Sequence, residues 1–354
     1  MKILISYLKP YKWLVFFVLL LAALNTGFSL FDPIILGRLV NLASDYSQHA
    51  DQYDARRFFS SFSWKSPGVL MLLLGSVSVA MVSRIAKNFQ DYFLNVIIQK
   101  FGAKVFTDGL QHAMKLPYQD FEDQRSGETL SILTKVRTDV ERFMNMFINV
   151  LLGILVGVVF VFVYAALFIH WYIPAVYFVG IILLTFISNI LSKKVKIIQK
   201  NIVGQTTALA GATTESLRNI ELVKSLGLTT QEVHRLNKNT YKILGLELTK
   251  VKRIRSISFI QGTFVNTLRQ VILYILMWLI FKDEMDAGQL VTMQVFSFFV
   301  FGPLQDIGNI ILSYREAEAS LNNFSTLMNK IPEAHPEKPA ALGEIQSLQF
   351  DQVK

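Results

Sequence analysis

The chain has 354 residues, of which 52% are hydrophobic, a mean hydropathy of +0.40 and a formal net charge of +9. These values favour an integral membrane protein over a soluble one. The absence of cysteine excludes disulfides, thiol catalysis and cysteine-ligated metal sites.

Six apolar segments follow one another along the chain. A helix needs ~20 apolar residues to cross the ~30 Å of bilayer hydrocarbon, and most of the six approach or exceed that length. The segments are 13–43, 69–82, 143–169, 171–191, 257–281 and 290–312. The second is the shortest, but we count it as a span because the topology otherwise has odd parity. The sequence therefore predicts an all-α membrane protein with six spans.

The distribution of charge predicts the orientation. With the N-terminus inside, the inner segments carry 29 of the 35 lysines and arginines. The outer loops carry only Arg56, Arg57, Lys65 and Lys282. This positive-inside asymmetry places both termini in the cytoplasm. Topology accounts for the net charge, so nucleic acid is not needed as a partner.

Two inner segments of about 60 residues are too long for unstructured loops in a compact protein. They are the first hairpin (84–142) and the second hairpin (193–255). Apolar residues recur in both at steps of three and four, which predicts helices continuing out of the spans. An arm of roughly 25–30 residues would project about 40 Å past the bilayer.

Each hairpin is predicted to turn at a short polar tip. In the first tip, Pro117 suits the first turn of a new helix and Gly127 its end. Tyr118 and Phe121, flanked by carboxylates, are typical of a docking surface. The alternative is a capped turn that packs on its own neighbours. In the second tip, 211–221, Thr213 or Thr214 would be the N-cap of a new helix.

The end of the chain changes in character. We expect the six-span domain to cover 1–330, a Pro- and Ala-rich linker 331–344, and the first strand of a further domain 345–354. A single strand does not fold alone, so the chain would stop just inside that domain. The alternative is a disordered tail.

Several segments resemble the transmembrane domain of six-span ABC exporters. They are "FDPIILGRLVN" (31–41), "LPYQDFEDQRSGETLSILTKVRTDVE" (116–141), "TTESLRNIELVKSLGLTTQEV" (213–233) and "DAGQLVTMQVFSFFVFGPLQDI" (286–307). Pro33, Gly37, Asp139 and Gly288 fall on positions that the family pattern favours. Asn41 departs from it, because the family often has aspartate there.

The resemblance implies a half-transporter in a bacterial-type inner membrane, paired with an identical or different half-transporter. A nucleotide-binding domain would follow Lys354 and would hold ATP and magnesium. Both tips would be coupling helices, with the second docking on the opposite subunit's ATPase. The implied coupling residues are Pro117, Tyr118, Gln119, Asp120, Phe121, Glu122, Thr214, Glu215, Ser216, Leu217 and Arg218.

The chain itself carries no catalytic motif. It contains no G-x-x-x-x-G-K-[ST] phosphate loop and no H-E-x-x-H, and its five histidines are scattered. We therefore expect no catalytic residue, cofactor or metal site in this segment. By the resemblance, the full-length protein would hydrolyse ATP in its following domain.

Polar groups within the spans are the candidates for substrate contact, since a charge at mid-membrane costs about 2.5–3.5 kcal/mol on insertion scales. They are Asn25, Asp32, Arg269, Gln294 and Asp306, with Phe298 as an aromatic neighbour. Arg269 would recognise an anionic group on the substrate. The alternatives are a structural Arg269–Asp306 pair, or an Arg269 that faces a water-filled vestibule.

The leading hypothesis is an exporter of hydrophobic or amphipathic compounds, drug-like or lipid. Peptide export stays open as an alternative. An ion-coupled secondary transporter would leave the long cytoplasmic hairpins unexplained, and a membrane scaffold or channel would leave the closing strand unexplained.

Overall fold

The computed structural model describes residues 2–48, 68–117 and 126–333, and the regular structure in these ranges is helical. A 3-10 turn (Lys9–Tyr11) separates the first two helices, and a π-helical turn (Phe147–Leu151) separates α4 from α5. The α-helices are α1 Lys2–Leu8, α2 Lys12–Gln48, α3 Val69–Ala113, α4 Ser126–Met146, α5 Leu152–Phe168, α6 Ile173–Arg218, α7 Ile220–Ser225, α8 Thr229–Phe281, α9 Ala287–Leu304 and α10 Ile307–Met328.

Six helical stretches among the described residues are long and apolar enough to cross a membrane, which confirms the predicted six spans. Spans 1 and 2 are α2 and α3, span 3 is α4 with α5, spans 4 and 5 are α6 and α8, and span 6 is α9 with α10. The short second apolar segment is part of α3, so counting it as a span is confirmed.

The helices of the two hairpins continue beyond the bilayer, as their periodicity predicted. Helices α3, α6 and α8 have 45, 46 and 53 residues. At 1.5 Å per residue such helices are roughly 70–80 Å long, more than twice the hydrocarbon thickness. Each of these helices is therefore too long to lie wholly within the hydrocarbon.

Two hydrophobic cores hold the helices together. The inner core joins α1, α3, α4 and α10 with the start of α2, around Phe101, Val136 and Phe324. The outer core joins α2, α5, α6, α8 and α9, around Tyr177 and Phe301. The first hairpin thus belongs to the inner core, whereas α6 and α8 contribute only to the outer one.

The described helices end at Met328, close to the predicted domain boundary at 330. Residues 331–333 continue without helix. The rest of the predicted linker and the predicted closing strand lie outside the described residues.

Candidate coupling and transport sites

The first hairpin is packed tightly along its length. Val105, Val136 and Val140 have no exposed surface. Gly109 lets α3 approach its neighbours, since a Cβ there would lie 2.3 Å from Cδ2 of Leu133 and 2.9 Å from Cε2 of Phe324. The hairpin is therefore a stiff element whose conformation its own chain determines.

The tip of this hairpin is described only in part. Helix α3 ends at Ala113, and a turn leads through the buried Leu116 to the half-buried Pro117. Gly127 does not end a tip helix as predicted but lies in the first turn of α4. The cost of a helical glycine, ~1 kcal/mol, is outweighed there by the amphipathic pattern that follows. The predicted coupling residues Tyr118, Gln119, Asp120, Phe121 and Glu122 lie outside the described residues.

The end of span 6 is anchored beside this tip. The backbone N–H of Glu333 donates to the carbonyl oxygen of Lys115 at 2.7 Å. The Nε2 atom of His112 lies 3.1 Å from the carbonyl oxygen of Lys330. Deeper in the same contact, the hydroxyl of Ser320 donates to the buried carboxylate of Asp139. The chain therefore leaves the six-span domain directly at the first tip.

The second tip is formed differently from the prediction. Helix α6 runs unbroken through Thr213 and Thr214 to Arg218, so neither threonine is an N-cap. The Thr213 hydroxyl instead donates to the carbonyl of Leu209, one turn back. The chain reverses over 219–228, where Gly227 takes a φ of +67° that favours glycine.

A polar cluster joins the two helices of the second tip. Ser216 is buried and donates to the carboxylate of Glu232, which also pairs with Arg235. The predicted coupling residues around it, Thr214, Glu215, Leu217 and Arg218, are exposed. The cluster holds the exposed residues on a fixed turn.

Farther along the second hairpin, apolar side chains remain uncovered. Tyr241, Leu244, Leu248 and Val251 follow steps of three and four on α8, and they are 47–69% exposed. Among the side chains described in 193–255, only Ile202 and Ser216 are buried. This apolar stripe, residues 241, 244, 248 and 251, has the spacing of a helix–helix seam.

Two of the predicted cavity residues join spans 1 and 2. The Ser83 hydroxyl donates to Oδ1 of Asn25 at 2.9 Å, and the Ser76 hydroxyl donates to the carboxylate of Asp32. Ser29 adds a contact of 2.8 Å to Ser83. Asn25 and Asp32 thus have local partners in the neighbouring helix.

The other predicted cavity residues lie on spans 5 and 6. The guanidinium carbon of Arg269 lies 3.2 Å from the ring centroid of Phe298, a cation–π contact. Nε of Arg269 and Oε1 of Gln294 are buried and have no hydrogen-bond partner among the described residues. Asp306 follows Pro303 in the break between α9 and α10, where it accepts from Asn309 at 3.1 Å. The alternative of an Arg269–Asp306 pair is therefore not what the structure contains.

Spans 1 and 6 cross at very close range, and the sequence analysis did not predict this contact. A Cβ added at Gly288 would lie 1.9 Å from the carbonyl oxygen of Gly37, so only glycine fits. Oδ1 of Asn41 accepts from the backbone N–H of Gly288 at 2.6 Å, and the Thr292 hydroxyl donates to Pro33 at 3.0 Å. Small residues within both spans were the signal for this crossing.

A groove of about 910 Å³ opens beside that crossing, between spans 1, 3 and 6. None of the six predicted cavity residues lines it. Its walls include Phe31, Arg38, Val159, Tyr164 and Asp286. The apolar runs of spans 1 and 3 contained four of these residues, and Asp286 precedes span 6. Periodicity alone does not show that three helices leave a space between them.

Comparison with known proteins identifies the architecture. The family model of the ABC transporter transmembrane region matches residues 15–304. The chain belongs to this ABC transporter family. A curated relative is the Transport/processing ATP-binding protein ComA of Streptococcus pneumoniae, 20% identical over 258 residues. The match covers 72% of this chain and 35% of ComA, so the chain corresponds to about a third of that relative.

Membership of the ABC transporter family indicates what the two helical hairpins could contact. The membrane region of these transporters works with nucleotide-binding domains and generally as a dimer. Two features of this ABC membrane domain fit such partners. The chain leaves the domain at the first tip, and the second hairpin carries an uncovered apolar stripe.

Proposed function

We propose that this chain is the membrane domain of an ATP-driven exporter of hydrophobic or amphipathic compounds. The observation that carries the proposal is the pair of helical hairpins that continue from the spans far beyond the bilayer. A rigid hairpin transmits a displacement at its tip to the span from which it emerges. The words "transport" and "ATP-binding" in the relative's name support the same class.

Coupling would use both tips. The linker to a nucleotide-binding domain would leave the spans next to Pro117, because Glu333 is bonded to Lys115. Residues 117–122 would dock on it. At the second tip, Glu215, Leu217 and Arg218 present two charges and an apolar side chain that is 64% exposed. This mixed surface suits docking on the ATPase domain of the other subunit.

A second half-transporter would cover the apolar stripe of α8. Solvent contact of four large apolar side chains at seam spacing is unfavourable, and a partner helix removes it. Identical and different partners both fit this surface. In the proposed orientation both termini face the cytoplasm of a bacterial-type inner membrane.

The substrate would meet Arg269 and Phe298. The arginine has a buried nitrogen without a partner, and it lies against an aromatic ring that is 54% exposed. A cation beside exposed rings suits a compound with an anionic group and an apolar body. Gln294, on span 6 with Phe298, adds an acceptor that is unpaired among the described residues. Asn25, Asp32 and Asp306 stay candidates for the cavity through their exposed edges.

Transport in proteoliposomes tests the proposal. The full-length protein should accumulate a fluorescent amphipathic anion in an ATP-dependent way that ionophores do not abolish. Arg269→Ala should lower this transport and the anion-stimulated ATPase by about tenfold, the equivalent of one lost charge-assisted interaction. Arg84→Ala, at the inner end of span 2, is the matched control.

Three other outcomes would contradict parts of the proposal. Transport that runs on an ion gradient without ATP would indicate a secondary transporter. ATPase stimulation by peptides alone would contradict the proposed cargo of hydrophobic or amphipathic compounds and favour peptide export. Unchanged anion transport by Arg269→Ala would remove the role of that residue.

A further inference from the structure

We infer that the groove between spans 1, 3 and 6 binds a phospholipid of the outer leaflet, with its phosphate on Arg38 and an acyl chain along the apolar wall. The site is separate from the Arg269 region. The inference depends on the proposed orientation of the spans but not on which compound is exported.

Rigid helix contacts form the walls of the groove. Spans 1 and 6 are locked at Gly37 and Gly288. Span 3 rests against them through Phe160, whose ring lies 5.4 Å from that of Phe31 and 6.1 Å from that of Phe296. The groove is therefore preformed and needs no rearrangement to accept a ligand.

The groove opens sideways, towards the bilayer in the single chain. Leu155, Val159 and Val163 on span 3 are 52–63% exposed, and Phe31 on span 1 is 44% exposed. A volume of 910 Å³ lies at the upper end of the ~300–1,000 Å³ of small-molecule sites. An acyl chain can enter such a space from the membrane without crossing a polar barrier.

Polarity changes along the groove in one direction. The inner end is formed by Phe31, Ile34 and Leu155, and the outer end contains Asn41 and Gln289. The rise from 31 to 41 is about 15 Å, half of the ~30 Å hydrocarbon core, so the groove matches the depth of one leaflet. A molecule with a polar head and a long apolar tail fits this gradient.

Arg38 supplies the charge for the headgroup. Its guanidinium makes no ion pair or hydrogen bond within the part of the chain that the structure describes, and the residue is exposed. The carboxylate in the groove, Asp286, is engaged in a capping box with Gln289 at the start of span 6. An unpaired cation at this depth favours an anionic partner, and a phosphate matches the planar guanidinium.

Photolabelling of the full-length protein in nanodiscs tests the site. The probe is phosphatidylglycerol with a diazirine in the acyl chain, diluted into phosphatidylcholine. Labelled peptides should come chiefly from 31–38 and 155–164. Arg38→Gln should reduce this labelling about tenfold, as expected for one lost charge-assisted bond, and Arg84→Gln should leave it unchanged.

A second variant tests the apolar wall separately. Val159→Trp should fill the groove and abolish labelling of 155–164. Val179→Trp is its control, because Val179 is similarly exposed on span 4 outside the groove, at 54% against 63%. This pair keeps the inference testable if Arg38→Gln fails to fold.

Three outcomes would overturn the inference. Labelling spread evenly over the exposed spans, or unaffected by both groove variants, would mean that no site exists. A disulfide between copies of Val159→Cys, formed through this one cysteine of residues 1–354, would assign the groove to a second copy. Displacement of the label by transported cargo would assign it to the transport route. Loss of ATP-driven transport with labelling intact would refute only the exporter proposal.

Discussion

The first and second hairpins have similar lengths, but their apolar faces have opposite surroundings. In the first, Phe101, Val105 and Val136 are at most 1% exposed, and α10 packs alongside. In the second, the stripe of Tyr241, Leu244, Leu248 and Val251 lies open. Both sequences show helical periodicity, but among the described residues the apolar face of the first hairpin is covered and the stripe of the second is not.

The apolar faces of the two hairpins are therefore suited to different roles. The first hairpin buries its face against α10, and a hydrogen bond to Glu333 holds the end of the chain at its tip. The second hairpin leaves such a face uncovered among the described residues, and Ser216 and Glu232 fix the turn at its end. One hairpin therefore serves the chain's own folding, and the other is suited to assembly.

A charge placed on each face should show the largest contrast. Val136→Glu puts a carboxylate where the valine has no exposed surface, and an unpaired buried charge should cost more than about 4 kcal/mol of unfolding free energy. Val251→Glu, on a residue that is 48% exposed, should leave the single chain folded but weaken the dimer. Thermal unfolding and size-exclusion chromatography measure the two effects. If both variants destabilise the single chain equally, the two hairpins do not differ in how their apolar faces are covered.

Added bulk at glycine should give the next largest effect. Gly109→Leu forces a side chain against Leu133 and Phe324, and overpacking of this kind costs about 3 kcal/mol. Gly204→Leu on α6 meets nothing within 4 Å, so it should not destabilise the chain and should gain up to about 1 kcal/mol from the better helix propensity of leucine. Melting temperatures of the two variants in the same nanodisc give the comparison. A tolerated Gly109→Leu would show that the first hairpin is loosely packed.

Removal of one buried hydroxyl should have a moderate effect. Ser320→Ala leaves the carboxylate of Asp139 without its donor, at a cost of about 1–3 kcal/mol. Ser131→Ala, on an exposed residue of α4, should have no measurable effect. Protease resistance of the end of span 6 should fall only in Ser320→Ala. If both variants behave alike, this hydrogen bond does not hold span 6 to the first hairpin.

The smallest expected effect is at the second tip. Ser216→Ala removes the donor to Glu232, but Arg235 still pairs with that carboxylate at the surface. The melting temperature should change by less than about 2 °C. ATPase stimulation by substrate should fall more than stability, because the turn that presents Leu217 is loosened. If Ser216→Ala lowers stability but leaves ATPase stimulation unchanged, Ser216 serves the fold and not coupling.

Periodicity in the sequence predicted the spans and their helical continuation, because apolar residues at steps of three and four report directly on helical faces. It did not predict where helices end. Gly127 and Thr213 carry terminator and cap chemistry, yet both lie inside helices. At these positions the amphipathic pattern on either side outweighs the local preference.

The transport region was less predictable, since polar residues in spans find partners in other helices. Asn25 and Asp32 bind serines of span 2, and Arg269 lies on Phe298 rather than beside Asp306. The groove at Arg38 arises from the gap between three helices. Packing of this kind depends on residues far apart in sequence, which periodicity does not relate to one another.

Crosslinking from the apolar stripe tests the central claim, that the second hairpin is covered by a second half-transporter, here in the case of an identical copy. The photo-reactive residue benzoylphenylalanine would replace Tyr241 in a mixture of isotopically light and heavy full-length chains. We predict crosslinked peptides that join light and heavy chains, with much less crosslinking from Lys242 on the adjacent polar face. Crosslinks that join only peptides of the same chain would show that the stripe is covered from within, and would contradict the account.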